Sequence, residues 1–192
     1  DINDTIKKLR NITEVYAVGV KGELKVVLYL LESKETNEIN YHAVNLFEEH
    51  MQCFDFKASD KYLTKKIDFS SPLKFLYEPN SSILKMQGTD ILAGRFNLLK
   101  VGPNSHFLTS DQHIEVFPGK IFSVTEEIVS RGKALKKRLV NTRYNVISRN
   151  YFKTASQICR DYNIKSGTTE DFLIFTKGEK GAPVIAECRR LF

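Results

Sequence analysis

Two β-rich runs, TEVYAVGVK (13–21) and ELKVVLYLL (23–31), meet at Lys21-Gly22, and this joint constrains the chain more than any other feature. Valines 15, 18, 20, 26 and 27 are β-branched and suit a pleated, half-buried surface. Runs that turn within two residues, with glycine second, read as an antiparallel hairpin. A strand that pairs at once with its neighbour has no helix after it. Gly19 and Gly22 therefore do not open a phosphate or dinucleotide loop, which needs the order strand, Gly-rich turn, helix, with an acidic residue about 20 positions on. No Walker lysine motif occurs either.

Around the hairpin the pattern is that of a small α+β unit with an antiparallel sheet. Ile2, Ile6, Leu9 and Ile12 fall near helical spacing. INYHAVNLF and QCFDFK read as two further strands. Residues 57–75, with Lys65, Lys66, Ser70, Ser71 and Pro72, form a weakly patterned join. The spacing places a first domain over 1–72 and a second over 73–192.

In the second part, YEPNSSILK raises a chemical question. Amine methyltransferases hold the target nitrogen with prolines that stiffen the chain after an Asn or Asp. Here proline precedes Asn80 and a helical pattern follows, so Glu78-Pro79-Asn80 reads as a helix entrance capped from Asn80–Ser82. Thr89 is placed as the cap of the next helix. Strands are expected at 106–110 and 119–129, a short helix over GKALKKRLV and a strand over TRYNVIS. Thr154-Ala-Ser-Gln157 is a capping box. It opens a helix whose Ala155, Ile158, Cys159 and Tyr162 form one apolar stripe. DFLIFTK and PVIAECRRL close the chain as a hairpin. The order of elements gives an α+β or α/β sheet covered by helices.

Charge divides unevenly. Residues 1–75 carry a net charge of −1 and residues 76–192 carry +7. Within 131–160 there are nine basic residues and no acidic one. The window interleaves Lys133, Lys136, Lys137, Arg138, Arg143, Arg149, Lys153 and Arg160 with Tyr144, Tyr151 and Phe152. Cations can meet phosphates and aromatic rings can stack on unpaired bases. The plain alternative is a solvated helix face with core aromatics. Arg149-Asn150-Tyr151 precedes a helix N-terminus, which favours anions and tips the reading toward RNA. Candidate RNA contacts are Lys133, Lys136, Lys137, Arg143, Arg149, Tyr151 and Lys153, with Tyr151 as the stacking ring.

Other chemistry is poorly supported. His106, Asp111 and His113 match no standard zinc spacing, so no metal is expected. Cys53, Cys159 and Cys188 are scattered and read as buried free thiols in a cytoplasmic protein. No apolar run of about 18 residues is present, so no membrane span is expected. Nucleophile–base pairs and Gly-x-Ser-x-Gly elbows are missing from the pattern.

YEPNSSILKMQG, GPNSHFLTSD, FPGKIFSV and SRNYFKTASQICRDYNIKSG resemble the C-terminal THUMP-like region of a bacterial family of class I S-adenosylmethionine-dependent methyltransferases. The loop from Ser166 to Asp171 departs from the Gly-Gly-Asp-like turn of related members. The resemblance implies a ferredoxin-like domain over 1–72, its helix and hairpin in 1–57, followed by a THUMP-like domain over 73–192. It implies an RNA-binding, substrate-presenting accessory part of an RNA methyltransferase, with RNA and its own upstream catalytic domain as partners. S-adenosylmethionine is implied for the parent protein and no cofactor for this fragment, which is not expected to be catalytic alone. The alternative is a structural module that packs on its catalytic domain or mediates homo-oligomerisation without touching RNA.

Overall fold

The structure is a computed structural model and describes residues 2–33, 38–64, 66–129, 131–167 and 170–191. Lys65 of the expected join, and Thr168 and Thr169 of the departing loop, lie outside the described residues. The fold is mixed α/β with two sheets. Packing divides the chain into one unit of 1–67 with 79–97 and a second of 68–78 with 98–192. A single cut at 72/73, as read from the sequence, becomes three crossings. Residues 79–97 return to the first unit because their helices pack on its strands.

In the first unit, α1 (Ile2–Lys8) leads into β1 (Ile12–Val20) and β2 (Glu23–Leu31). Lys21 and Gly22 have φ of 51° and 83°, so both central turn residues are left-handed, as a type I′ hairpin requires. β3 (Asn40–Leu46) and β4 (Met51–Lys57) complete the order β2-β1-β3-β4. β3 runs parallel to β1, so the sheet is mixed rather than the antiparallel sheet read from the sequence. The reason is geometric: β2 returns the chain to the end where β1 began, and the next strand starts there on the other side of β1.

One face of this sheet is closed. Val15, Ala17, Tyr41, Ala43, Phe54 and Phe56 are buried on it. α3 (Ser81–Lys85) packs on β1, β2 and β3. Asn80 stands at the N-cap of α3 but makes no side-chain cap bond. It donates instead to Gln52 Oε1 at 2.7 Å. In α4 (Thr89–Phe96), Thr89 is the first helical residue and Gly88 the cap, which corrects the expected Thr89 cap. The other sheet face leaves Val26, Leu28 and Met51 exposed.

The second unit holds an eight-stranded sheet. Its members include β5 (Phe75–Pro79), β6 (Leu99–Lys100), β7 (Leu108–Ser110), β8 (Gly119–Glu127), β9 (Arg143–Ser148), β10 (Lys165–Ser166), β11 (Asp171–Lys177) and β12 (Pro183–Arg190). Strand alternation splits its core in two. Leu173, Phe175 and Ile185 face α5 (Gly132–Leu139) and α6 (Ala155–Tyr162) through Leu135, Leu139 and Ile158. Ile174, Ala186 and Cys188 face the opposite side, with Leu76, Phe107 and Phe122. Of the cysteines only Cys188 is buried; Cys159 is half-buried and Cys53 exposed, so the expectation of three buried thiols is corrected.

Candidate nucleic-acid interface

β9 pairs in parallel with both β10 and β11, so the chain must cross back between them, and α6 makes that crossing. The carboxyl end of β9 therefore faces the N-terminus of α6. In open α/β sheets such strand ends are where ligands gather. A cleft of about 550 Å³ opens there, lined by residues 146–157.

Local bonds fix this turn. Thr154 N–H donates to Gln157 Oε1 at 2.8 Å, and Gln157 N–H donates to Thr154 Oγ1 at 3.3 Å, completing the expected capping box. Ser148 Oγ donates to Lys153 O at 2.7 Å. Arg149 N–H continues the ladder onto Phe175 O at 3.0 Å. The first turn of α6 lines the cleft, and the partial positive charge of a helix N-terminus favours anions.

The acid-free window does not fold into one face. Arg149, Tyr151 and Lys153 come together at the cleft. Lys133, Lys136 and Lys137 are exposed on α5, whose Leu135 and Leu139 point into the core. Arg143 begins β9, at the end opposite Arg149. Its alternate neighbour Ile147 packs on the side away from α5 and α6, so Arg143 shares neither the cleft nor the α5 lysines.

Two candidates change character in three dimensions. Tyr151 packs against Phe175 at 5.4 Å between ring centroids and belongs to the core beneath α6. Burial raises its phenol above the ordinary value. The exposed ring is its neighbour Phe152, 63% accessible. The signal was present in the sequence as a second aromatic in Tyr151-Phe152, but only packing tells which ring is free. Lys153 Nζ pairs with Asp161 Oδ2 at 2.8 Å, so part of its charge is matched. Arg138, also within the window, is consumed altogether. It grips both Glu126 oxygens at 2.7 and 2.6 Å and reaches Glu187 at 3.1 Å.

Arg149 is held differently. Its Nε donates to Glu78 Oε1 at 2.8 Å, while Lys120 Nζ donates to Glu78 Oε2 at 3.0 Å. In the sequence Glu78 reads only as part of a helix entrance and Lys120 only as a strand residue, because the Glu78–Arg149 and Glu78–Lys120 pairs span 71 and 42 positions. Burial, and then the Arg149 guanidinium, push nearby His106 below the ordinary imidazole value. His106 thus adds no fixed positive charge near neutral pH. No metal-holding group of three or more His, Cys, Asp or Glu occurs among the described residues.

Comparison with known proteins bears on these elements directly. Residues 75–118 match the profile of a ferredoxin-like domain, and residues 119–190 match that of a THUMP domain-like family. The chain carries a ferredoxin-like and a THUMP-like domain. β8 opens the THUMP-like part, which contains α5, β9, the cleft, α6 and the closing hairpin. The ferredoxin-like match falls on 75–118, where the sequence reading had placed that domain on 1–72.

A crystal structure of a Porphyromonas gingivalis W83 protein bearing a provisional methyltransferase name superposes on this chain with a TM-score of 0.91 and 27% identity. The match covers 100% of this chain and 49% of that one, so the chain spans about half the length of that protein. No curated protein sequence matches the chain. The described residues have no helix long and apolar enough to cross a membrane.

Proposed function

We propose that this chain is the RNA-binding, substrate-presenting part of an S-adenosylmethionine-dependent RNA methyltransferase that acts in the cytoplasm, with catalysis carried by another part of the protein. The observation that carries this reading is the cleft after β9. There a half-exposed Arg149, the first turn of α6 and the exposed Phe152 ring lie within six residues of one another. Guanidinium and amides suit phosphate, and a free ring suits an unpaired base. Lys133, Lys136 and Lys137 extend the positive field along α5. The THUMP-like match and the methyltransferase name of a relative about twice as long support the same reading.

The methyl donor itself does not fit these residues. The turn from β9 into α6 reads RNYFKT, with Phe152 and Lys153 where a donor-binding turn needs glycines for close backbone approach. No step through S-adenosylmethionine is assigned to this chain. Binding of the 192-residue chain to structured cellular RNA is the test. The wild type should bind, and replacing Lys133, Lys136 and Lys137 by Glu should abolish binding in a chain that stays folded. Unchanged affinity in that variant would contradict the reading.

A second reading has its own observation. The open face of the four-stranded sheet exposes Val26, Leu28 and Met51, an apolar surface suited to protein contact. Under this reading the chain packs on its catalytic domain or on a second copy. Salt-insensitive association without RNA binding would favour it.

A further inference from the structure

Glu78 is 5% exposed, and ionised side chains are seldom buried without a purpose. It belongs to the Glu-Pro-Asn stretch whose helix entrance needs no carboxylate. β5 and β8 approach so closely that a Cβ on Gly119 would lie 2.2 Å from Glu78 O. This closeness places Lys120, the next residue on β8, beside the carboxylate. Each Glu78 oxygen serves a different cation, Oε1 taking Arg149 Nε and Oε2 taking Lys120 Nζ. One carboxylate shared by two cations leaves a net positive charge of one.

Both cations keep an open side. The Arg149 side chain is 43% exposed and that of Lys120 is 40% exposed. Arg149 Nη1 donates to Ser148 O at 3.3 Å, and Nη2 has no partner among the described residues. A buried ion pair is weak evidence for stability, since desolvation offsets its attraction. Held by Nε, the guanidinium instead has a fixed orientation with its outer edge in solvent.

We propose that Glu78, Lys120 and Arg149 form a phosphate-binding site in which Glu78 is the positioning residue. The site rests on the RNA reading above, and its ligand is a backbone phosphodiester of RNA. Arg149 offers its outer nitrogens and Lys120 its ammonium to the phosphate oxygens, while Glu78 holds both in place from beneath.

Charge and positioning make opposite demands, which gives a clean test. Glu78→Gln removes a negative charge beside the ligand, so charge alone would tighten RNA binding. Positioning requires the reverse. Binding of the full chain to a structured RNA is measured over a salt series for wild type, Arg149→Ala, Lys120→Ala, Glu78→Gln and Glu78→Asp, with thermal melts as a folding control. Arg149→Ala and Lys120→Ala should each reduce the salt slope, together by about one. Glu78→Gln and Glu78→Asp should weaken binding by about fivefold or more. In an Arg149→Ala, Lys120→Ala background Glu78→Gln should no longer weaken binding, the mark of action through those two cations. Tighter or unchanged binding by a folded Glu78→Gln chain overturns the proposal.

Should the Glu78 variants fail to fold, arginine side-chain NMR of the wild type decides. The Arg149 nitrogens should shift when RNA is added, and unmoved signals would contradict the site. RNA binding with unchanged slopes in Arg149→Ala and Lys120→Ala overturns the site alone. Absence of RNA binding by the wild type overturns the RNA reading with it. In that case a response to inorganic phosphate would assign the site to a free phosphate rather than a phosphodiester.

Discussion

Arg143 and Arg149 stand at opposite ends of β9, about 20 Å apart at the usual strand rise. One enters the sheet at the edge far from the cleft; the other leaves it against a buried carboxylate. Their contributions to RNA binding should differ accordingly. Arg149→Ala should lower affinity about tenfold near 0.1 M salt, while Arg143→Ala should stay within about twofold. Equal losses, measured by fluorescence anisotropy, would mean that the RNA path runs along the whole strand.

The neighbouring rings separate in the same way. Phe152→Ala should weaken RNA binding several-fold, on the order of 1 kcal/mol for one lost base stack, with an unchanged melting temperature. Tyr151→Ala should cost about 3 kcal/mol of stability, because its ring packs on Phe175 under α6. Denaturant unfolding of both variants distinguishes the core ring from the free one. A destabilised Phe152→Ala chain would put Phe152 in the core as well.

Gly19 and Asn45 make a tight pair in the first unit. A Cβ on Gly19 would fall 2.2 Å from Asn45 Oδ1, and Asn45 Nδ2 donates to Ser82 Oγ. Gly19→Ala should therefore destabilise the chain by about 2 kcal/mol through overpacking. Adding Asn45→Ala should recover part of that loss. Urea midpoints of the single and double variants give the coupling, and simple additivity would contradict the clash.

Alkaline pH should destabilise the fold. Burial pushes the Cys188 thiol up to about 12, and burial with the nearby Glu187 pushes the Tyr144 phenol up to about 12. Both groups lose protons more readily when unfolded, from ordinary values of 9.0 and 10.0. Their stabilising effect is complete below pH 9 and is lost as pH rises from 9 towards 12. The melting temperature should fall over that window. At pH 8, iodoacetamide should label exposed Cys53 readily and Cys188 only after unfolding. Rapid labelling of Cys188 in the native chain would show that the strand pair β8–β12 opens.

Much of this fold could be read locally. The Lys21-Gly22 hairpin, the capping box at Thr154 and the apolar stripe of α6 all depend on residues a few positions apart. What escaped the sequence depends on distance along the chain. The parallel pairing of β1 with β3 follows from where β2 ends, which alternation does not encode. Asn80 has the cap position but spends its side chain on Gln52. The basic window names Arg149 but neither its arrangement nor Glu78 and Lys120, which lie outside the window. Arg138 is spent on Glu126 and Glu187, carboxylates from strands outside the window, and Tyr151 is spent on Phe175. Arg149 gains its fixed orientation from Glu78, 71 residues earlier.

The most direct measurement is binding of the whole chain to structured RNA across a salt series. Arg149, Lys120 and the α5 lysines should contact about four phosphates, so log K should fall linearly with log salt at a slope of about −3. No binding at low salt, or binding indifferent to salt, would contradict an RNA interface built on these cations.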